Sequence, residues 1–155
     1  MLTTKWLNRF LNLAFHVAEW SKDPSTKVGA VIIDDKNRII SVGYNGFPIG
    51  VNDDPSRYND RPVKYSLVCH AERNALDNAP IQVQGARMFV TLPPCNECAK
   101  SIIQRGIKEV WWADIPQKLM TYDWETDVYN WKAAKLMFME AGVETYGDYP
   151  PGCPE

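Results

Sequence analysis

Histidine is scarce in this 155-residue chain, which has two, and cysteine is limited to four. Long apolar runs are missing. The partly apolar N-terminal segment is broken by Asn8, Arg9, Asn12, His16 and Glu19, which argues against a signal peptide or a membrane span. The expected compartment is the cytoplasm. No run of lysine and arginine marks a polynucleotide-binding face, and the net charge is −2, so a small ligand is expected over DNA or RNA. Without an export signal, Cys69, Cys95, Cys98 and Cys153 are expected as reduced thiols, not as a disulfide framework. What is present is ordinary: 45% apolar and 23% charged residues, enough to build one globular domain over residues 1–155.

The apolar pattern divides the chain into alternating elements. Trp6, Leu7, Phe10, Leu11, Ala14, Val17 and Ala18 recur at helical spacing over residues 4–20, and Asp23-Pro24 ends that helix. Residues 27–33 (KVGAVII) and 38–42 (RIISV) read as two strands of a hairpin closed by residues 34–37. Residues 43–62 are rich in Gly, Pro, Asn and Asp and read as loop. Then come a helix over 70–78, a strand over 86–91, a helix over 95–105 ended by Gly106, a strand over 109–113, a helix over 126–141 and a short strand over 143–146. Alternation in the second half implies right-handed crossovers between parallel strands. The expected fold is a three-layer α/β/α sandwich with a mixed five-stranded sheet.

Two short stretches carry chemistry. His70-Ala71-Glu72 opens one predicted helix, and Pro94-Cys95-Asn96-Glu97-Cys98 opens the next. Thiols at i and i+3 share one face of a helix start, where the helix dipole favours thiolate. One imidazole and two thiolates suit zinc, whereas magnesium and calcium want oxygen. Three protein ligands leave a fourth tetrahedral position open, as in catalytic zinc sites, where water becomes acidic near neutral pH. Glu72 then stands where it can move protons. The alternative is a closed structural zinc completed by Cys69, His16 or Cys153, with Glu72 a surface residue; adjacent Cys69 and His70 do not readily reach one ion. H-x-E with a downstream P-C-x-x-C is the known signature of zinc-dependent nucleobase deaminases, in which the glutamate is not a ligand.

The segments KDPSTKVGAVI, GYNGFP, CHAERNA and VTLPPCNECAKSIIQRGIKEV together resemble the deoxycytidylate (dCMP) deaminases of the cytidine deaminase superfamily, a group found in cells and in large bacteriophages. The resemblance covers residues 20–113 and, more loosely, 126–146. It implies zinc-dependent conversion of dCMP to dUMP and ammonia, with one zinc per subunit on His70, Cys95 and Cys98 and with Glu72 as the proton shuttle. It implies substrate contacts from Asn45, Ser25 and Lys27, and from Tyr122 in a stretch, residues 114–127, where the alignment slips. It also implies a homohexamer activated by dCTP and inhibited by dTTP, with Mg2+ accompanying the triphosphate. The effector would lie against Asn45, Gly46, Phe47, Gly50 and Asn74. Many relatives have arginine in GFPxG where this chain has Ile49. The same zinc site also suits deamination of a polynucleotide or a free nucleoside; the charge balance argues against the first, and the family pattern against the second. A viral member would work in the host cytoplasm.

Overall fold

A computed structural model describes residues 2–155. Helix α1 (Thr4–Ala18) precedes a hairpin of β1 (Gly29–Ile33) and β2 (Ile39–Tyr44). After α2 (Pro55–Asn59) and α3 (Arg61–Leu67) come α4 (Ala71–Asn78), β3 (Arg87–Val90), α5 (Asn96–Gln104) and β4 (Glu109–Trp112). A 3-10 turn (Gln117–Leu119), α6 (Trp131–Ala141) and β5 (Glu144–Tyr146) complete the chain. The sheet order is β2-β1-β3-β4-β5. β1 runs antiparallel to both β2 and β3, whereas β3, β4 and β5 run parallel. This is the mixed five-stranded sheet that the element order predicts.

All five residues of β1 are buried, because helices cover both faces. Side chains alternate across the pleat. Val31, Ile33 and Phe89 meet Phe10 and Ala14 of α1. Ala30, Ile32, Met88 and Val90 pack on the other side with Ala75 and Leu76 of α4, Ile102 of α5 and Phe138 of α6. The parallel strands place the starts of their crossover helices at one edge of the sheet, which is where α/β folds bind ligands.

Two stretches depart from the sequence reading. The expected loop over 43–62 contains α2, and α3 follows from Arg61. Their Asp and Pro residues start helices instead of breaking them: Asp54 caps α2 by accepting from Ser56 N at 2.9 Å, and Asp60 caps α3 by accepting from Val63 N at 3.3 Å. Proline falls in the first turn of each, where its missing N–H is harmless. Helix α6, in turn, starts at Trp131 and not near residue 126. Asp127 and Asn130 take positive φ of 38° and 52°, and the Asp127 carboxylate accepts from Trp131 N at 3.0 Å and Lys132 N at 3.1 Å. The chain is bent there to cap the helix.

Helix α4 lies on β2 with unusual closeness. Ser41 Oγ donates to Ala75 O at 2.7 Å, Asn78 Nδ2 to Val42 O at 3.1 Å, and Asn74 Nδ2 to Tyr44 O at 2.7 Å. A methyl group on Gly43 would stand 2.3 Å from Ala75 N and 2.5 Å from Ala71 O, so only glycine permits this approach. Gly43→Ala is therefore expected to lower stability by about 2 kcal/mol or more, seen as a lower urea midpoint. An unchanged midpoint would contradict the packing of α4 on the β2 backbone.

Candidate active site

His70 and Cys95 are the N-cap residues of α4 and α5. Two helix starts thus meet at one point, and Cys98 joins them from the first turn of α5. His70 Nδ1 lies 3.4 Å from Cys95 Sγ and 3.4 Å from Cys98 Sγ, and the three donor atoms fall within 4.8 Å of one another. Zinc–sulfur and zinc–nitrogen bonds at a tetrahedral angle put nitrogen and sulfur about 3.6 Å apart. The donor set and its spacing both fit that ion. Cys69, His16 and Cys153 do not join the cluster among the described residues.

The titration of the three groups points the same way. The hydrogen bond with Cys98, followed by that with His70, pulls the Cys95 thiol well below its ordinary range. The same bond with Cys95 pushes the Cys98 thiol up. His70 is raised to about 9, first by its hydrogen bond with Cys95. Without a cation, two thiols and an imidazole at this distance must share protons among themselves. A divalent ion displaces those protons and balances both thiolates.

Glu72 occupies the first turn of α4 and is 4% exposed. Burial raises its carboxyl to about 7, while the neighbouring His70 charge acts to lower it. Its carboxyl also interacts with Cys98. The arrangement is a buried carboxyl beside, but outside, the three-donor cluster.

The loop over residues 21–28 forms a neighbouring wall. Asp23, 1% exposed, is its organising group. Burial acts to raise the Asp23 carboxyl, but the Lys64 ammonium and the amides of Ser25 and Thr26 hold it below its usual range. Lys64 Nζ lies 2.8 Å from Asp23 Oδ2 and donates to Ser25 Oγ at 2.8 Å. Ser25 donates through both N and Oγ to Asp23 Oδ1, each at 2.9 Å. Asn45 ties this wall to β1: its Nδ2 donates to Thr26 O at 2.8 Å, and its Oδ1 accepts from Val28 N at 2.8 Å. Lys27 extends instead toward Glu19, 3.9 Å away.

The remaining sequence-selected residues divide. Gly46 and Cys69 exchange backbone hydrogen bonds at 3.1 and 2.8 Å, which binds the loop over 43–50 to the residue before His70. Phe47 stacks on Tyr58 with ring centres 4.2 Å apart. Asn74 donates to Tyr44 O, and Gly50, with φ of 82°, lies out in solvent. Tyr122 is occupied elsewhere: its hydroxyl donates to Asp127 Oδ1 at 2.7 Å and accepts from Tyr129 N at 3.1 Å.

The tyrosine set against the cluster is Tyr129, which the sequence reading passed over. Asn96 N donates to Tyr129 O at 3.4 Å. Burial first, then the charges of Tyr65, Asp23 and Cys95, push its hydroxyl up. Lys64 was missed as well. A lysine between the loop read over 43–62 and the helix read from 70 carries no sign that it will be buried. For Tyr129 the available signal was its place two residues before a helix start.

Residues 4–114 match the family model for the cytidine and deoxycytidylate deaminase zinc-binding region. The human deoxycytidylate deaminase is 44% identical over 155 residues, covering 96% of this chain and 82% of that protein. An uncharacterized deaminase of Aliivibrio fischeri is 41% identical over 143 residues, covering 92% and 93% of the two chains. A dCMP deaminase of cyanophage S-TIM5 shares the fold with a TM-score of 0.70 at 24% identity, over 95% of this chain and all of that one. His70, Glu72, Cys95 and Cys98 all lie inside the matched region: the chain belongs to the cytidine and deoxycytidylate deaminase family.

Proposed function

We propose that this protein hydrolyses the 4-amino group of dCMP, releasing dUMP and ammonia, as one domain working in the cytoplasm. The observation that carries the reading is the buried Glu72 carboxyl beside a triad of His70, Cys95 and Cys98. Similarity to the human deoxycytidylate deaminase over 96% of the chain supports the choice of substrate. The triad holds one zinc, which when bound supplies the Lewis acidity that makes water nucleophilic at neutral pH.

Glu72 takes a proton from the attacking water and delivers it to N3 of the cytosine ring. A bond forms from oxygen to C4, and the C4–N bond breaks as Glu72 takes the remaining proton of the new C4 hydroxyl and passes it to the departing amine, leaving the carbonyl. Burial suits the carboxyl for both roles, because its neutral and charged forms then lie close in free energy near neutral pH. Asn45 steers the deoxyribose through the acceptor capacity left on Oδ1, and Ser25 and Lys27 edge the site on the phosphate side. Tyr129 walls the base pocket; Tyr122 serves it from behind by holding the Tyr129 amide.

Regulation belongs to the same proposal. Asn45, Gly46, Phe47, Gly50 and Asn74 line a site for dCTP or dTTP with Mg2+ in a homohexamer. The backbone pairing of Gly46 with Cys69 supports this, because a shift of that loop is passed directly to the zinc ligand His70. Ile49, fully exposed, offers no charge to a triphosphate.

Two measurements test these statements. Purified protein is expected to contain one zinc per chain, and Glu72→Gln to keep that zinc while kcat with dCMP falls about 10³-fold. Retained turnover would sink the proton shuttle, and two zinc ions per chain would refute the count of one. In a dUMP-release assay with Mg2+, dCTP is expected to lower the half-saturating dCMP concentration and dTTP to raise it. A response to neither would remove the regulatory part alone.

A further inference from the structure

We propose that Lys118 holds the substrate's 5′-phosphate and thereby sets the preference for a nucleotide over the nucleoside; the inference rests on the reading of the site as one for dCMP. Lys118 sits in the 3-10 turn within the stretch 114–127, outside the segments that carry the family resemblance. Its exposed side chain crosses to the 21–28 wall. There Nζ donates to Thr26 Oγ1 at 3.3 Å and to Ser25 O at 3.4 Å. Both bonds are long and both acceptors are neutral.

Four ammonium groups belong to this wall or reach it. Lys22 pairs with Asp53 at 2.6 Å, Lys27 faces Glu19 at 3.9 Å, and buried Lys64 is neutralised by Asp23 at 2.8 Å. Among the described residues, Lys118 is the one of the four without a carboxylate partner. A hydroxyl and a carbonyl at the limit of hydrogen-bonding range leave most of its attraction for an anion unspent. A flexible ammonium with three donors suits a phosphate group.

Position adds the second argument. Thr26, which Lys118 touches, is also held through its carbonyl by Asn45. Through its Oδ1, Asn45 also holds Val28 N, and the next residue, Gly29, exchanges hydrogen bonds with Thr91 just past the end of β3, four residues before Cys95. The path from the thiols to Lys118 therefore runs past Thr91, Asn45 and Thr26. A nucleotide with its base at the cluster would lay its 5′ end toward this wall. The hydroxyl of Thr26 stands beside the ammonium to share the anion.

The test compares dCMP with deoxycytidine on zinc-loaded protein, by initial rates and by calorimetric binding. Lys118→Met keeps the apolar stem and deletes the charge. It is expected to raise KM and Kd for dCMP about tenfold, the scale of one charge-assisted hydrogen bond, with kcat nearly unchanged. Deoxycytidine binding should not move, Lys118→Arg should recover most of the loss, and the salt dependence of dCMP binding should weaken in the Met variant. An equal loss for both ligands would mean that Lys118 only fastens the loop, and would overturn the proposal. Unchanged dCMP affinity would overturn it too. Wild-type protein that binds dCMP without releasing ammonia would refute the activity while the binding comparison still judges Lys118; wild-type protein that does not bind dCMP would refute both.

Discussion

The site depends on one constraint: two helices must begin at the same point in space. His70 and Cys95 are both N-cap residues, with extended backbone and side chains projecting past the helix end. A third donor, Cys98, follows one turn into α5. Whatever moves either helix start by an ångström separates the donors. The packing that prevents this is the close seat of α4 on β2, made possible by Gly43 and riveted by Ser41, Asn74 and Asn78. On the other helix, Trp131 Nε1 donates to Pro93 O at 3.0 Å and braces the approach to Cys95.

Around that point the protein trades stability for a polar, ordered wall. A lysine and an aspartate buried together are expensive to desolvate, and hydrophobic replacements of similar shape are often as stable. The Asp23–Lys64 pair is retained beside serine, threonine and asparagine side chains that it orders. Its physical effect is to stiffen a turn rich in hydroxyl groups next to the thiols. Aromatic rings complete the other side, where Tyr122, Tyr129 and Trp131 stack with centres 4.6 to 6.1 Å apart. Tyr122 thereby ties the stretch 114–127 to the start of α6.

Much of this architecture was legible from residue order. Short strand-forming runs marked all five strands, with β1 starting at Gly29, two residues later than the stretch read from Lys27. The metal-type spacing was legible because i, i+3 placement at a helix start is a local property. The helices α2 and α3 were not, because Asp with Pro one or two residues on reads equally as a turn or as a cap with proline in the first turn. The late start of α6 was hidden for a related reason. Residues 126–130 continue its composition, and only the left-handed backbone at Asp127 and Asn130 breaks it.

By itself, the amino-acid order determined the i, i+3 thiol pair, the placement of Glu72 two residues after His70 and the alternation of strands with helices, since each is a pattern of residues close together in the chain. Bringing His70 to the thiols was left to the packing of the two helix starts. The tertiary structure alone decided which tyrosine stands against the cluster and which lysine is buried with Asp23. It alone decided which ammonium is left without a carboxylate at the wall. These outcomes depend on contacts between residues 33 to 92 positions apart, through Lys64 with Ser25, Lys118 with Thr26, and Tyr129 with Asn96. No local period reports such separations; they follow from how the loops are folded back over the sheet edge.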